Sequence, residues 1–361
     1  MSDMMEYKCP ACGGALEFDS ASQRMKCPYC DSEYDISVFE TQHADTAANK
    51  GSGANEQWKA ESSGEWQPGE TDGMRVYACQ SCGGEIVADE STGATTCPYC
   101  GNNVVMKGQF EGDKRPDKII PFKLDKKAAK QAYLAHLKGK LFLPSVFKQQ
   151  NHIDEIKAVY VPFWLLNADA EADIDYDATR IHVWEKGDTE YTETEYFDLH
   201  RQGSVSFQNV PTDCSRKMDD ALMESIEPFY YQDLQPFSPA FLAGYLADCY
   251  DVSLEECMRR ARVRIKKSVE DSFAKTASAY QTVRARQTSM SMMNTTYSYV
   301  LLPVWILNTT WKGQNFIFAM NGQTGKMVGD LPMDKTAFGI YLLSRGVIFS
   351  IICMIISFLI F

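Results

Sequence analysis

The order of apolar and polar positions divides the chain into zones of different character. Between residues 37 and 74 no apolar period is sustained. The centre of that stretch, TAANKGSGANEQ, predicts a flexible linker. Trp58 and Trp66 interrupt it and are expected to cover the second cysteine module or the domain that follows. Helical and strand periods alternate from 115 to 333. Over Lys126–Leu137, behind an Asp125 cap, Ala129, Tyr133, Leu134 and Leu137 share one helical face, with lysines on the other. Residues 168–185 and 189–207 alternate polar with apolar, the mark of antiparallel strands with one wet face. Ser253 and Glu256 form a capping box before the stripe Leu254, Met258, Ala261, Ile265, Val269 and Phe273. Strands are expected near 282–292, 297–301, 304–310 and 315–320, with a turn at 321–325. From 337 to 361 apolar residues occupy every face.

Two internal repeats cut across these zones. Pro162-Phe-Trp164-Leu-Leu-Asn167 recurs as Pro303-Val-Trp305-Ile-Leu-Asn308, each with a tyrosine just before it (Tyr160, Tyr299) and a Pro-Phe pair upstream (Pro121-Phe122, Pro236-Phe237). This pattern predicts a duplicated antiparallel α+β domain over 115–333. The other repeat is of cysteines. Cys9-Pro-Ala-Cys12-Gly-Gly precedes Cys27-Pro-Tyr-Cys30, and Cys79-Gln-Ser-Cys82-Gly-Gly precedes Cys97-Pro-Tyr-Cys100, with fourteen residues between the knuckles both times.

Paired CxxC knuckles at this spacing are a zinc-ribbon signature. Each knuckle holds two thiolates side by side, and two knuckles close a tetrahedron of sulfur. Gly13, Gly14, Gly83 and Gly84 suit a turn needing positive φ, and Pro28 and Pro98 pre-set φ in the second knuckles. With Cys9, Cys12, Cys27 and Cys30 in one module and Cys79, Cys82, Cys97 and Cys100 in the other, no coordination position remains for water or substrate. Two structural zinc ions are expected, in ribbons over 1–36 and 75–107. A rubredoxin-type iron is the alternative four thiolates allow.

Composition narrows the function. Of 12 cysteines, eight sit in knuckles, while Cys214, Cys249, Cys257 and Cys353 are scattered, a usage that belongs to a reducing compartment. The opening residues are acidic and polar, unlike a signal peptide. A net charge of −12 and acid-rich ribbons argue against nucleic acid as the ribbon ligand. One basic patch stands apart, Arg259 to Lys267 on the second long helix, which could be a solvated face, a lipid-headgroup contact or a nucleic-acid contact. The alternating Asp169, Glu171, Asp173, Asp175 and Asp177 share one strand face, read as solvated. No HExxH, phosphate loop or nucleophile–base pair is visible, and the histidines are dispersed, so no enzymatic activity is expected.

The run GVIFSIICMIISFLIF, 346–361, carries no charge and spans about 24 Å as a helix; including 337–345 makes it long enough to cross a bilayer, with Arg345 snorkelling. Lys335 and Arg345 lie on its N-terminal side, which places that side in the cytoplasm. Reduced thiolates require the same side. The sequence thus predicts a single-pass, tail-anchored protein of the cell membrane.

With CPACGG, CPYC, YACQSCGGEI, CPYCGN, FLAGYLADCYDV, LLPVWIL and FAMNGQTGKMVGDLP, the chain resembles the bacterial YdjG-like TFIIB-type zinc-ribbon membrane proteins. Some members carry the label primosomal replication helicase, but a Walker A motif is absent here. The resemblance implies a role in envelope stress beside PspA-like, SPFH (flotillin-like) and TPM-domain proteins. A membrane-anchored adaptor that recruits protein partners is the expectation. The alternative is a nucleic-acid-binding regulator using the ribbons or the 258–267 helix.

Overall fold

The computed structural model describes residues 7–39, 58–62, 64–66, 70–71, 73–89, 96–109 and 114–360. The TAANKGSGANEQ segment of the expected linker lies outside the described residues. In chain order the strands are β1 (Glu17–Asp19), β2 (Arg24–Lys26), β3 (Glu33–Tyr34), β4 (Lys59–Ala60), β5 (Met74–Cys79), β6 (Glu85–Asp89), β7 (Val104–Gln109) and β8 (Lys118–Ile119). After helices α1 (Lys126–Leu137) and α2 (Gln150–Ile153) come two very long strands, β9 (Lys157–Lys186) and β10 (Thr189–Asp213). There follow α3 (Asp220–Ser225), β11 (Gln235–Pro236), β12 (Leu246–Asp248), α4 (Leu254–Lys275), β13 (Thr282–Trp311), β14 (Gln314–Asn321), β15 (Met327–Val328) and α5 (Lys335–Ile360). The fold is mixed α+β.

The frame is the antiparallel pair β9–β13, in register from Lys157↔Ile306 to Thr179↔Thr282. The three separate strands expected over 282–310 are one 30-residue strand, eased by irregularities at 285/287 and 293/296. Pro303 does not break it, although proline lacks the ladder donor. Its carbonyl instead accepts the Gly322 N–H at 2.8 Å. β10 lies against the outer edge of β9, β14 against that of β13, and the main sheet runs β11-β8-β13-β9-β12-β6-β5-β7.

Alternation decides what covers the sheet. Ala168, Ala170, Ala172, Ile174, Tyr176 and Ala178 of β9 point inward and are buried. The four alanines let α4 lie close, with Ile265 and Val269 buried on it. Each such burial contributes about 2 kcal/mol. The intervening acids face outward and are met by polar or basic side chains: Asp169 by Ser206 and Asn294, Asp175 by His200, Asp177 by Arg286. α1 starts at its expected cap, the Asp125 side chain accepting from Ala128 N–H at 2.7 Å. Leu134, expected on its buried face, is instead 47% exposed; only Ala129, Tyr133 and Leu137 turn inward.

Both cysteine modules are fastened to this body. The first is a separate three-stranded sheet, β1-β2-β3. Its Leu16, Phe18 and Met25 join a single buried cluster with Phe122, Tyr160 and Phe241 of the body. Phe18 N–H donates to Ala243 O at 3.0 Å, and Gln23 Nε2 donates to Phe122 O at 2.7 Å. The second is continuous with the main sheet, because β6 pairs with β12 at Ala247↔Val87 and Asp248↔Ile86. Trp58 and Trp66 pack on the body as expected of them, Trp66 edge-on to Phe237 at 5.8 Å. Arg115 and Glu70 close an ion pair at 2.7 Å, which ties Arg115, beyond the second module, to the segment before it.

Candidate metal centres

Each CxxC hairpin has the same backbone lock. The first cysteine's N–H donates to the carbonyl five residues on, and its carbonyl accepts the N–H four residues on: Cys9 with Gly14 and Gly13, Cys27 with Ser32 and Asp31, Cys79 with Gly84 and Gly83, Cys97 with Asn102 and Gly101. The fourth-following residue sits at positive φ in all four, at 75°, 55°, 70° and 74°. Glycine holds three of these places and Asp31 the fourth, where a short polar side chain tolerates the left-handed region. Gly14 and Gly84 have a different role from the one expected of them. A Cβ on Gly14 would stand 2.5 Å from the Tyr29 ring, and one on Gly84 would stand 3.3 Å from Tyr99. They make room for the aromatic of the opposing CPYC knuckle.

The hairpins bring all eight predicted ligands into two groups, Cys9/Cys12/Cys27/Cys30 and Cys79/Cys82/Cys97/Cys100, with the sulfurs of each within 4.8 Å of one another. Among the described residues these are the groups able to hold a metal ion. Sγ–Sγ separations are 3.5 Å for Cys9–Cys30 and Cys12–Cys27, 3.5 Å for Cys79–Cys100 and 3.7 Å for Cys82–Cys97. A disulfide is near 2.05 Å, whereas sulfurs about 2.3 Å from one tetrahedral ion stand ~3.75 Å apart. The separations fit a shared ion.

The electrostatics also call for a cation. The Tyr34 hydroxyl, 3.5 Å from Cys9 Sγ, is the main group holding that thiol down, at about 6. Burial resists ionisation of Cys100, but the Asn102 backbone and side chain outweigh it and keep the thiol at about 7. The Gly14 amide favours the Cys12 thiolate, yet Cys27 and Cys30 beside it push the thiol up to about 12. Four thiols this close cannot all ionise without a positive ion among them. One cysteine in each knuckle is buried (Cys9, Cys27, Cys79, Cys97), while Cys12 and Cys30 are exposed and Cys82 and Cys100 half-buried. The first centre is the more open.

The other candidate regions resolve differently. On α4, Arg260 pairs with Asp213 and Asp220, and Arg264 with Glu227 at 3.2 Å. The expected basic patch is therefore split, and Arg259, Lys266 and Lys267 face solvent. Sequence reasoning missed the buried acids behind it. Asp213 is nearly buried, which pushes its carboxyl up to about 7 against the pull of Arg260. No signal in the linear sequence brings Asp213 to Arg260, because their contact depends on α4 crossing the end of β10. At the far end, α5 is 26 residues long and apolar, and its candidate spanning stretch, Lys335–Ile356, has no buried share.

Fold and site together define a protein with two four-cysteine metal-site modules on a mixed α+β body and one apolar C-terminal helix. The chain is 33% identical over 332 residues to the uncharacterised protein YdjG of Bacillus subtilis strain 168, covering 92% of this chain and 91% of that one. It belongs to the YdjG family. No family model matches it, and no solved structure matches it.

Proposed function

We propose that this protein is a non-catalytic, membrane-anchored adaptor whose two structural zinc ribbons, of TFIIB type, help form a recruitment surface held near the cytoplasmic face of the cell membrane. One observation carries the reading: both closed four-cysteine centres are fastened to a body that continues into an apolar helix whose spanning stretch, Lys335–Ile356, has no buried share. All-cysteine ligation favours a structural ion over a catalytic one. Lys335 and Arg345 at the N-terminal side of α5 favour a cytoplasmic body. Because the ribbons are fastened and not tethered, a partner would meet them at a fixed place, beside the exposed Tyr29 at the tip of the first. By resemblance the partners are PspA-like, SPFH (flotillin-like) and TPM-domain proteins of an envelope-stress response.

The duplicated body belongs to the same proposal. The Trp motifs are offset by 141 positions (303 minus 162), and Val161 pairs with Leu302 in the β9–β13 ladder, the same offset. A local two-fold through that pair relates the two halves. β8 lies parallel on β13 and β12 parallel on β9; each is followed by a helix, α1 or α4, and each long strand by its return strand. These relations support strand–helix–long strand–return strand as the repeated unit. Because Ile119 pairs with Leu301 and Ala247 with Tyr160, the counterpart of Pro121-Phe122 is then Cys249-Tyr250, just past β12, and not Pro236-Phe237.

The test is a native pull-down from detergent-solubilised membranes, with metal content measured on the same samples. Wild type is expected to carry two zinc ions and to retain a PspA-like or SPFH protein. A Cys9→Ser/Cys12→Ser variant is expected to carry one ion and to lose that partner. Recovery of nucleic acid alone, released by salt, would replace the adaptor with a nucleic-acid-binding regulator.

A further inference from the structure

The loop after α1, Lys138-Gly-Lys140-Leu141-Phe142, reaches the foot of α5. Phe142 meets the rings of both Phe338 and Tyr341 edge-on, each with centroids 5.2 Å away. Asp334 N–H donates to Phe142 O at 2.7 Å, which fixes the loop against the first turn of the helix. One turn further along, the Arg345 guanidinium lies over the same Tyr341 ring at 5.1 Å. An arginine reaching back over an interfacial tyrosine marks headgroup level on a membrane-crossing helix. The loop therefore stands at that level.

What it presents there is unusual for a water-facing loop. Leu141 is 77% exposed and Met333, beside the start of α5, is 50% exposed. Lys138, Lys140 and Lys335 flank them in the chain, all exposed, with no carboxylate within 4.0 Å of their ammonium groups among the described residues. Exposed apolar side chains among unpaired lysines, continuous with an apolar helix, match a bilayer surface bearing anionic headgroups. We propose that the Lys138–Phe142 loop is a second membrane contact, with Leu141 entering the interface and Lys138, Lys140 and Lys335 on anionic lipid. This rests on the reading of α5 as a membrane anchor.

The basic face of α4, the place where composition alone points to lipid, is far from this level. Within the basic stretch, Arg264 bonds the Pro211 carbonyl, and Pro211 of β10 and Ser298 of β13 both pair with Leu165 of β9, whereas Leu307 on β13 pairs with Phe318, whose ring packs on Tyr133 of α1. Those two strand positions are nine apart (307 minus 298), about 30 Å along an extended chain.

The test uses the full chain in vesicles of brominated lipid, with or without anionic phosphatidylglycerol, reading tryptophan quenching. Leu141→Trp places a reporter on the loop and Val263→Trp a control on the exposed α4 face; the wild-type signal of the six native tryptophans is subtracted. Extraction with alkaline carbonate reports the anchor separately. The expected result is an extraction-resistant chain in which Leu141→Trp is quenched, more strongly with anionic lipid, and Val263→Trp is not. Lys138→Glu/Lys140→Glu should reduce that quenching by more than half, since each lysine is worth about five-fold in the seated-to-lifted ratio. Resistance to extraction without added quenching at 141, or quenching at 263 instead, overturns the proposal and leaves the anchor standing. Release by carbonate removes the anchor reading and this one with it.

Discussion

Asp248 ends β12 where the second ribbon joins the body, and it is buried with Oδ2 unpartnered. Burial pushes its carboxyl up to about 7, opposed by the hydroxyls of Ser215 and Tyr99. In the unfolded chain an aspartate titrates near 3.8. Between these values the folded state holds a proton that the unfolded state has released, so stability is fullest below about 4 and falls as pH rises through 7. Keeping a buried carboxylate so far above its unfolded value corresponds to a penalty on the order of 4 kcal/mol at pH 8. Asp248→Asn is expected to raise the melting temperature at pH 8 and to lose most of that advantage near pH 5. Comparing variant with wild type at each pH cancels the acid release of metal common to both. An advantage unchanged across that range would mean the carboxyl titrates normally.

At the scale of elements, the two ribbons are attached by different physics. The first touches the body mainly through side chains such as Phe18 on Phe241, 5.3 Å between rings, with the Phe18 N–H to Ala243 O bond beside them but no paired strand. The second shares backbone hydrogen bonds, β6 with β12. Ribbon modules fold on their metal, so losing one ion should have unequal reach. Cys9→Ser should raise hydrogen exchange over 17–34 and little beyond. Cys79→Ser should raise it over 74–109 and also in Leu246–Asp248, which loses one of its two partner strands. Equal, local effects from both variants would show that the β6–β12 pairing contributes nothing to the body.

At the scale of the molecule, the proposed anchor, α5, is expected to decide where everything else resides. Ile348 and Ile352 lie within the uncharged run and are each 48% exposed. A lysine near the centre of a spanning helix costs about 3 kcal/mol on insertion scales. Ile348→Lys/Ile352→Lys is expected to move the chain from the membrane pellet to the supernatant on fractionation, while both metal ions stay bound. Loss of metal along with the membrane would mean that the helix supports the body's fold, not merely its location.

The sequence by itself determined the local features of this protein. Fourteen-residue spacing between CxxC pairs is sufficient for two hairpins to converge, and the eight sulfurs do converge. Asp125 and Ser253 were legible as caps because capping involves residues three apart. An apolar run with no period could only be a helix without a wet face. Tertiary structure decided what depends on distant partners. Strand 282–311 remains whole through Pro303 because β9 and Gly322 satisfy its edges, information absent from the proline itself. Arg260 and Arg264 read as a surface patch until Asp213 and Glu227 arrive from other elements. Gly14 and Gly84 look like turn residues until the tyrosine ring opposite each is placed. The ribbons look tethered from the composition of the intervening segment, yet they are docked, because Phe18 and β6 find apolar and hydrogen-bonding partners more than a hundred residues away.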